Sequence, residues 1–152
     1  MPMPWTYRHS EKEFRAFLDD ARSRMNLSSN NMTYTAVDGV LQVFRRRLTP
    51  AQGIAFASVL PSTLRAIFVA GWEIEAPPRA FADRATLTRE VQALRPHHNL
   101  TPENAIEATA WALRRSVDQR DLDAVLADLP EAARAFWHVD TADPRDLCQR
   151  IV

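Results

Sequence analysis

The second half of this sequence repeats the first half at a constant spacing of 69 residues, as the dipeptides Leu60-Pro61 and Leu129-Pro130 illustrate. A gap-free alignment at that spacing superposes apolar, basic and capping positions: Val37 on Ile106, Gly39 on Ala108, Phe44 on Leu113, Arg45-Arg46 on Arg114-Arg115, Leu48 on Val117, Thr49 on Asp118 and Arg65 on Arg134. Self-similarity at a fixed spacing is typical of tandem copies of one supersecondary unit. The chain is therefore predicted to contain two copies of one unit.

Apolar residues in both copies follow the three- and four-residue spacing of amphipathic helices. This spacing predicts helices near 11–25, 34–47, 50–59 and 61–70 in the first copy, and near 84–95, 102–116, 119–128 and 130–138 in the second. Only Trp72-Glu73-Ile74-Glu75 alternates as a strand would, and Pro77-Pro78 ends that alternation. We interpret this segment as linker.

The predicted fold class is all-α, with two tandem pseudo-repeat helical bundles of about four helices each, packed together. A short C-terminal helix is expected near 144–151. The predicted divisions are a first repeat at 10–70, a linker at 71–83, a second repeat at 84–138 and a C-terminal helical extension at 139–152.

Helix starts are predicted from capping residues and prolines. Ser10 with Glu13 and Thr49 with Gln52 have the spacing of capping boxes. A capping residue followed by proline, which is typical of a helix start, occurs at Thr101-Pro102-Glu103 and at Asp143-Pro144. Asp118 is expected to cap the segment after it. Gly39 stands inside a predicted helix, where glycine costs about 1 kcal/mol relative to alanine; we expect close approach of another helix to compensate.

Composition restricts the possible partners. The chain has 152 residues and zero formal net charge, with 19 basic and 19 acidic side chains, whereas a general nucleic-acid binder carries excess positive charge. No stretch approaches the ~18 apolar residues that a membrane span needs, and residues 1–5 lack a signal-peptide pattern. We therefore predict a soluble cytoplasmic protein, with no membrane association and nucleic acid disfavoured as a partner.

The sequence contains no recognisable catalytic, metal or cofactor motif. Its single cysteine, Cys148, excludes an internal disulfide and is interpreted as a bystander. His97-His98 is expected in an exposed loop, because zinc needs three or four converging protein ligands. The carboxylate pairs Asp19-Asp20 and Asp121/Asp123 are predicted to lie on solvated helix faces. We predict no catalytic residue, no metal ligand and no cofactor.

The candidate binding residues are arginines and tryptophans: Arg45, Arg46, Arg65, Trp72, Trp111 and Arg134. If Phe44 faces the core, Arg45 and Arg46 point to solvent, where they either contact an anion or serve as a solvated helix end. Trp111 lies roughly 140° from the core face of its predicted helix, at 100° per residue, and Gln42 is its counterpart in the first copy. It is expected either to pack within the chain or to form a partner-binding patch.

The motif order resembles an uncharacterised bacterial family catalogued as domain of unknown function 2267. The resemblance spans about residues 13–138 and rests on Arg47-Leu48-Thr49, Leu60-Pro61, Gly71-Trp72, Leu129-Pro130 and Trp137. The chain departs from the family pattern at Arg120-Asp121 and at Thr86-Leu87. The resemblance implies a duplicated helical fold and brings no reaction, substrate or catalytic residue with it.

Three functional hypotheses follow. The first is a non-enzymatic binding or scaffold module that holds a protein partner on the surface between its halves, with Trp111 in the contact. The second is a small-ligand or anion-binding protein, or an enzyme, with an arginine-lined cleft between the halves that includes Arg65, Arg134 or the arginine clusters. The third, weak nucleic-acid binding, requires a continuous arginine stripe. The sequence leaves the oligomeric state open.

Overall fold

The computed structural model describes residues 1–97 and 100–152, and every regular element within these ranges is a helix. The elements are, in chain order, α1 (Trp5–Arg8), α2 (Ser10–Met25), α3 (Asn30–Arg45), α4 (Pro50–Ala57), α5 (Ser62–Val69), α6 (Arg84–Ala93), α7 (Ala105–Arg114), α8 (Gln119–Ala127), α9 (Glu131–Trp137) and a 3-10 helix (Pro144–Leu147). The predicted all-α class is confirmed. None of the helices in the described ranges has the length and apolarity to cross a membrane.

The main differences from the predicted helices lie at their starts and at the C-terminus, where the helix expected near 144–151 is a 3-10 helix over Pro144–Leu147. Helix α1 was not predicted, because four residues are too few to show a helical period. Helix α7 begins at Ala105 instead of 102, since residues 102–105 first form a turn in which the Ala105 amide donates to the Pro102 carbonyl. His97 lies in an exposed turn, as expected, whereas His98 lies outside the described residues.

Three of the five predicted caps form, and those at Ser10 and Thr101 do not: Asn104, and not Thr101, occupies the cap position of α7. The Thr49 hydroxyl accepts from the Gln52 amide at 3.2 Å, and the Gln52 side chain accepts from the Thr49 amide at 2.9 Å, which completes a capping box. Asp118 and Asp143 also cap the helices that follow them. The capping box predicted at Ser10 is wrong: α1 leads almost directly into α2, so Ser10 is already helical and His9 occupies the cap position without a side-chain bond.

The two halves of the chain share one core. Helix α2 of the first half packs most extensively on α7 of the second half, and α3 packs on α6 as well as on α7. The first long helix of each half, α2 or α6, thus contacts the second long helix of the other half, α7 or α3. Burial of apolar side chains at this crossing provides the main stabilisation, so the halves fold against each other.

An aromatic cluster lies where the halves meet. The Phe44 ring is 4.8 Å from Phe56, 4.9 Å from Phe136 and 5.2 Å from Trp137, measured between ring centroids. The Trp137 side chain is fully buried and stacks on Phe56 at 5.4 Å. Aromatic pairs at these separations contribute about 0.5–1.5 kcal/mol beyond their area burial. Trp137 is therefore a core residue that docks α9, which excludes it as a ligand platform.

Helices α3 and α6 approach closely at Gly39. A Cβ atom on Gly39 would lie 2.9 Å from Cγ1 of Val91 and 3.5 Å from Cδ1 of Leu94. The glycine thus permits a helix contact that a larger residue would push apart. The close approach expected from its mid-helix position is present, and it fixes the spacing between α3 and the helix that carries Glu90.

Candidate anion-binding pocket

Arg45 is buried at the C-terminal end of α3, which corrects the prediction that it points to solvent. Only 8% of the residue is exposed, and its Nη1 atom donates to the carbonyl oxygens of Phe68 at 2.9 Å and Ala70 at 2.8 Å. These carbonyls end α5 and would otherwise lack partners. The Arg45 side chain therefore runs beside the core and caps a neighbouring helix, an arrangement that apolar periodicity does not reveal.

Arg45 has no carboxylate within ion-pair distance among the described residues. Burial lowers the pKa of its guanidinium, a shift that Asp38 opposes through its negative charge and Arg46 reinforces through its positive charge. Arginine nevertheless stays protonated in proteins. Arg45 is thus a buried, charged guanidinium that is bound to neutral carbonyl groups.

Three further arginines share one carboxylate beside Arg45. Arg47 forms the best pair with Glu90, with Nη2 to Oε2 at 2.6 Å and Nη1 to Oε1 at 3.0 Å. Arg46 and Arg79 reach Oε1 of the same residue at 2.9 Å and 3.2 Å. Arg46 is thus half-buried in an ion pair instead of solvent-facing. Burial alone raises the pKa of Glu90, but the hydrogen bonds from Arg47 and Arg46 outweigh it, so its pKa lies below the ordinary range.

A cavity of about 210 Å³ opens next to this arginine cluster, and we call it the α3 pocket. One wall comes from the end of α3 through Gln42, Arg45 and Arg46, and the other from the connecting segment through residues that include Trp72 and Arg79. The pocket unites three predicted site residues, Arg45, Arg46 and Trp72. Its charge and its concave shape suit an anionic ligand.

Trp72 forms part of the pocket wall and holds the connecting segment against α4. Its ring lies on Gly53 and is 5.8 Å from the Phe68 ring, and the residue is only half-exposed. Arg79 holds the other end of the segment, because its amide donates to the Arg46 carbonyl at 2.9 Å. Residues 72–79 are therefore fixed to the helices at both ends, although they contain no regular helix.

The other two candidate arginines do not line the pocket. The Arg65 guanidinium donates to the carbonyl oxygens of Ala57, Ser58 and Leu60 at 3.0–3.3 Å, so it caps the end of α4. Arg134 lies exposed on α9. The hypothesis of a cleft in which Arg65 and Arg134 converge is therefore not supported by their positions.

Trp111, the counterpart of the pocket residue Gln42, packs within the chain. The guanidinium carbons of Arg24 and Arg115 both lie 4.8 Å from the centroid of its half-buried ring. Such cation–π contacts contribute about 0.5–1 kcal/mol each at exposed sites. These contacts favour the packing interpretation of Trp111 over a partner-binding patch. The first half has an amide at a position where the second half has an indole.

The C-terminal tail repeats the contacts of the connecting segment at the other end of the molecule. The Arg150 amide donates to the Arg115 carbonyl at 2.8 Å, and both guanidinium groups pair with Asp20, at 2.7 Å and 3.1 Å. In the connecting segment, the Arg79 amide likewise donates to the Arg46 carbonyl, and the guanidinium groups of both arginines pair with Glu90. Asp20 is consequently buried, which corrects the prediction of a solvated Asp19-Asp20 face.

The remaining chemical candidates lie outside the lining of the α3 pocket. Asp121 and Asp123 are exposed, and Cys148 is an exposed free thiol. No group of three or more metal-ligating side chains occurs within the described part of the chain. Sequence reasoning missed Glu90 and Arg79 as site residues. The only available signal was three consecutive arginines, which implies acidic partners without indicating which carboxylates provide them.

Comparison with known proteins identifies a family to which no activity is assigned. No curated protein matches the chain. One protein family, described as an uncharacterized conserved protein (DUF2267), matches residues 14–136. That range runs from α2 to α9 and includes the whole α3 pocket. The resemblance drawn from the sequence motifs is therefore confirmed, and the chain belongs to the DUF2267 family.

Proposed function

We propose that this protein is a non-catalytic binding module that recognises an anionic group, a carboxylate or a phosphate, in the α3 pocket. The observation that carries the proposal is Arg45, a buried guanidinium without a carboxylate partner that lines a cavity. Burying a charge is costly unless it is paired. An anionic ligand pairs that charge when it binds.

The charges around the pocket support this proposal. Arg45, Arg46, Arg47 and Arg79 together carry four positive charges, while Glu90 supplies one negative charge directly among them. Glu73, the carboxylate among the lining residues, is exposed on the connecting segment. The local excess of positive charge contrasts with the zero net charge of the whole chain. It attracts anions and falls in strength with added salt.

The residues that line the pocket favour binding over catalysis. General acid–base chemistry needs two titratable groups with separated pKa values at the reacting atoms. The pocket lining contains arginines, an amide, an indole and the single carboxylate of Glu73. Arginine does not exchange protons in the physiological range. Such a set can hold and orient an anion but has no general acid–base pair.

The test is a titration of the wild-type protein with inorganic phosphate and, separately, with acetate, followed by amide chemical shifts. We expect the largest shifts at Arg45, Arg46 and Arg79. Gln42→Trp, which copies the residue found at Trp111, should fill the pocket and reduce binding at least tenfold while keeping every arginine. Arg15→Gln is the matched control, because Arg15 is exposed on α2 with Glu11 as its partner.

Shifts spread evenly over surface arginines, or equal binding by wild type and Gln42→Trp, would contradict the proposal. Binding should also weaken as salt rises from about 50 to 500 mM, because the interaction is between charges. Thermal unfolding of each variant shows whether the fold is intact before binding is compared.

A further inference from the structure

The α3 pocket continues into a groove along α3. Gln42 also lines a second cavity, of about 150 Å³, which lies between α3 and α6 beside Asp38 and Leu94. That cavity shares Thr35 and Arg95 with a third, which extends the groove to residues 31 and 32 at the start of α3. The three cavities share lining residues along one face of α3, and together we call them the α3 groove. One face of α3 thus borders a depression along nearly its whole length.

The length of the groove indicates the size of its ligand. The 14 residue-to-residue steps from Met32 to Arg46 span roughly 21 Å at 1.5 Å per residue. An extended peptide advances about 3.3 Å per residue. About six residues of extended chain therefore fill the groove, whereas a free phosphate or acetate ion fills only the α3 pocket.

The chemistry of the groove changes from one end to the other. The α3 pocket is cationic, and the middle contains Asp38, whose carboxylate accepts from the Gln42 amide at 2.7 Å. The far end offers apolar surface beside the exposed Arg95: Tyr34 is 43% exposed and Leu100 is 61% exposed. This order suits a chain with an anion at one end, an uncharged middle and an apolar side chain at the other end.

We propose that the α3 groove holds an extended peptide of about six residues, with its C-terminal carboxylate in the α3 pocket and an apolar side chain beside Tyr34 and Leu100. This inference rests on the proposed anion-binding function and deepens it. A nucleic-acid strand fits less well, because it places a phosphate at every residue and would bring one against Asp38. Trp72 and Pro77 of the connecting segment line the pocket together with its arginines, and a C-terminal carboxylate supplies the single anion that this pocket takes.

The test measures fluorescence anisotropy of N-terminally labelled peptides with wild-type protein. The main probe has leucine first, five alanines after it and a free C-terminal carboxylate. A second probe is the same peptide with a C-terminal amide, which lacks the negative charge. A third is the trialanine acid, which keeps the carboxylate but is too short to fill the groove. We expect the hexapeptide acid to bind about tenfold tighter than either, because burial of one leucine side chain and pairing of one carboxylate each contribute about that factor or more.

Two tryptophan variants separate the groove from the pocket. Thr35→Trp blocks the groove beyond the pocket and should remove the advantage of the hexapeptide over the tripeptide. Arg95→Trp on the opposite wall does the same and serves if Thr35→Trp unfolds. Lys12→Trp, exposed on α2, is the matched control for an added indole and should leave all affinities unchanged.

Each outcome of these binding measurements tests a different part of the proposal. Equal binding of hexapeptide and tripeptide acids would overturn the groove while leaving the anion pocket intact, provided that Gln42→Trp still weakens both. Equal binding of the acid and the amide would overturn the placement of the C-terminal carboxylate. Absence of phosphate, acetate and peptide binding would remove the pocket and the groove together.

Discussion

The indole ring of Trp72 lies directly on Gly53 of α4, where an added Cβ atom would be 2.0 Å from the ring carbon Cη2. This contact has two consequences. It fixes the start of the connecting segment against the first half of the chain, and it positions one wall of the α3 pocket. A change at Gly53, outside the pocket lining, therefore reaches the pocket through Trp72.

The first prediction concerns Gly53→Ala. Alanine inside a helix usually stabilises it by about 1 kcal/mol relative to glycine, but here the new methyl group displaces the ring. We expect the free energy of unfolding to fall by about 1–2 kcal/mol, within the range for overpacked sites. Urea unfolding measures the change, and Trp72→Ala provides the second variant of a double-mutant cycle.

In the Trp72→Ala background the same substitution has no ring to displace. Gly53→Ala should then be neutral or stabilising, as helix propensity alone predicts. A loss of stability of the same size in both backgrounds would show that the Trp72 contact does not determine the effect.

The second prediction concerns Arg45. Arg45→Met keeps much of the apolar stem but leaves the carbonyl groups of Phe68 and Ala70 without their donor. We expect a loss of about 2–4 kcal/mol of unfolding free energy, because unsatisfied buried polar groups cost about 1–3 kcal/mol each. Arg114 is the control, since its Nε donates to one carbonyl, that of Trp137, at 2.8 Å, and its pair with the exposed Asp123 is a surface contact that contributes about 0–1 kcal/mol.

Arg114→Met should therefore cost about half as much as Arg45→Met. Chemical denaturation of both variants under the same conditions gives the comparison. Equal losses would mean that the second carbonyl contact of Arg45 contributes nothing measurable.

The two arginine contacts also show what the sequence can predict. Arg45 binds the carbonyl of Phe68 and Arg114 that of Trp137, so the contact recurs at the 69-residue spacing found in the sequence. Apolar periodicity located the helices because burial of one face is a local property of the chain. It could not locate the guanidinium of Arg45, since its partners are main-chain carbonyls that any sequence supplies.

Trp111 and Gly53 show the same limit in the packing of side chains. Trp111 is half-buried between Arg115, a neighbour four residues along the chain, and Arg24, which reaches it only because α2 crosses α7. Nothing near Gly53 in the sequence indicates that Trp72 returns to it, because the connecting segment contains no regular period. One wall of the α3 pocket depends on this contact between Trp72 and Gly53. The pocket could therefore be recognised only in the structure.

The third prediction is a pH dependence that arises from Glu90. Its pKa in the folded state lies below the ordinary value of 4.5, so the unfolded state binds the proton more readily. The stabilisation is then fully present well above 4.5 and is lost as the pH falls through the lower folded pKa. We expect Glu90→Gln to be less stable than wild type at about pH 7, with a smaller difference at about pH 3.

Urea unfolding at the two pH values tests this dependence. Glu11→Gln is the control, because Glu11 is exposed in its pair with Arg15 and surface pairs contribute about 0–1 kcal/mol. A difference between wild type and Glu90→Gln that does not change with pH would assign the effect to packing instead of charge.

The fourth prediction compares the two segments that Asp20 and Glu90 hold. Asp20 binds Arg150 of the C-terminal tail at 2.7 Å, whereas Glu90 binds Arg79 of the connecting segment at 3.2 Å. Asp20→Asn removes the charge that attracts Arg150, so residues 148–152 should exchange amide hydrogens faster. The connecting segment should stay protected, because Trp72 on Gly53 holds it independently of any ion pair.

Hydrogen exchange followed by mass spectrometry resolves the two segments, with Glu90→Gln as the reciprocal variant. For that variant we expect a modest rise in exchange at residues 76–80 and none at the tail, since opening free energies reflect the local contacts of each segment. Release of both segments by either variant would mean that the ends of the molecule open as one unit. The independent behaviour expected here follows because each segment has its own apolar anchor, Trp72 on Gly53 for the connecting segment and the buried Leu147 for the tail.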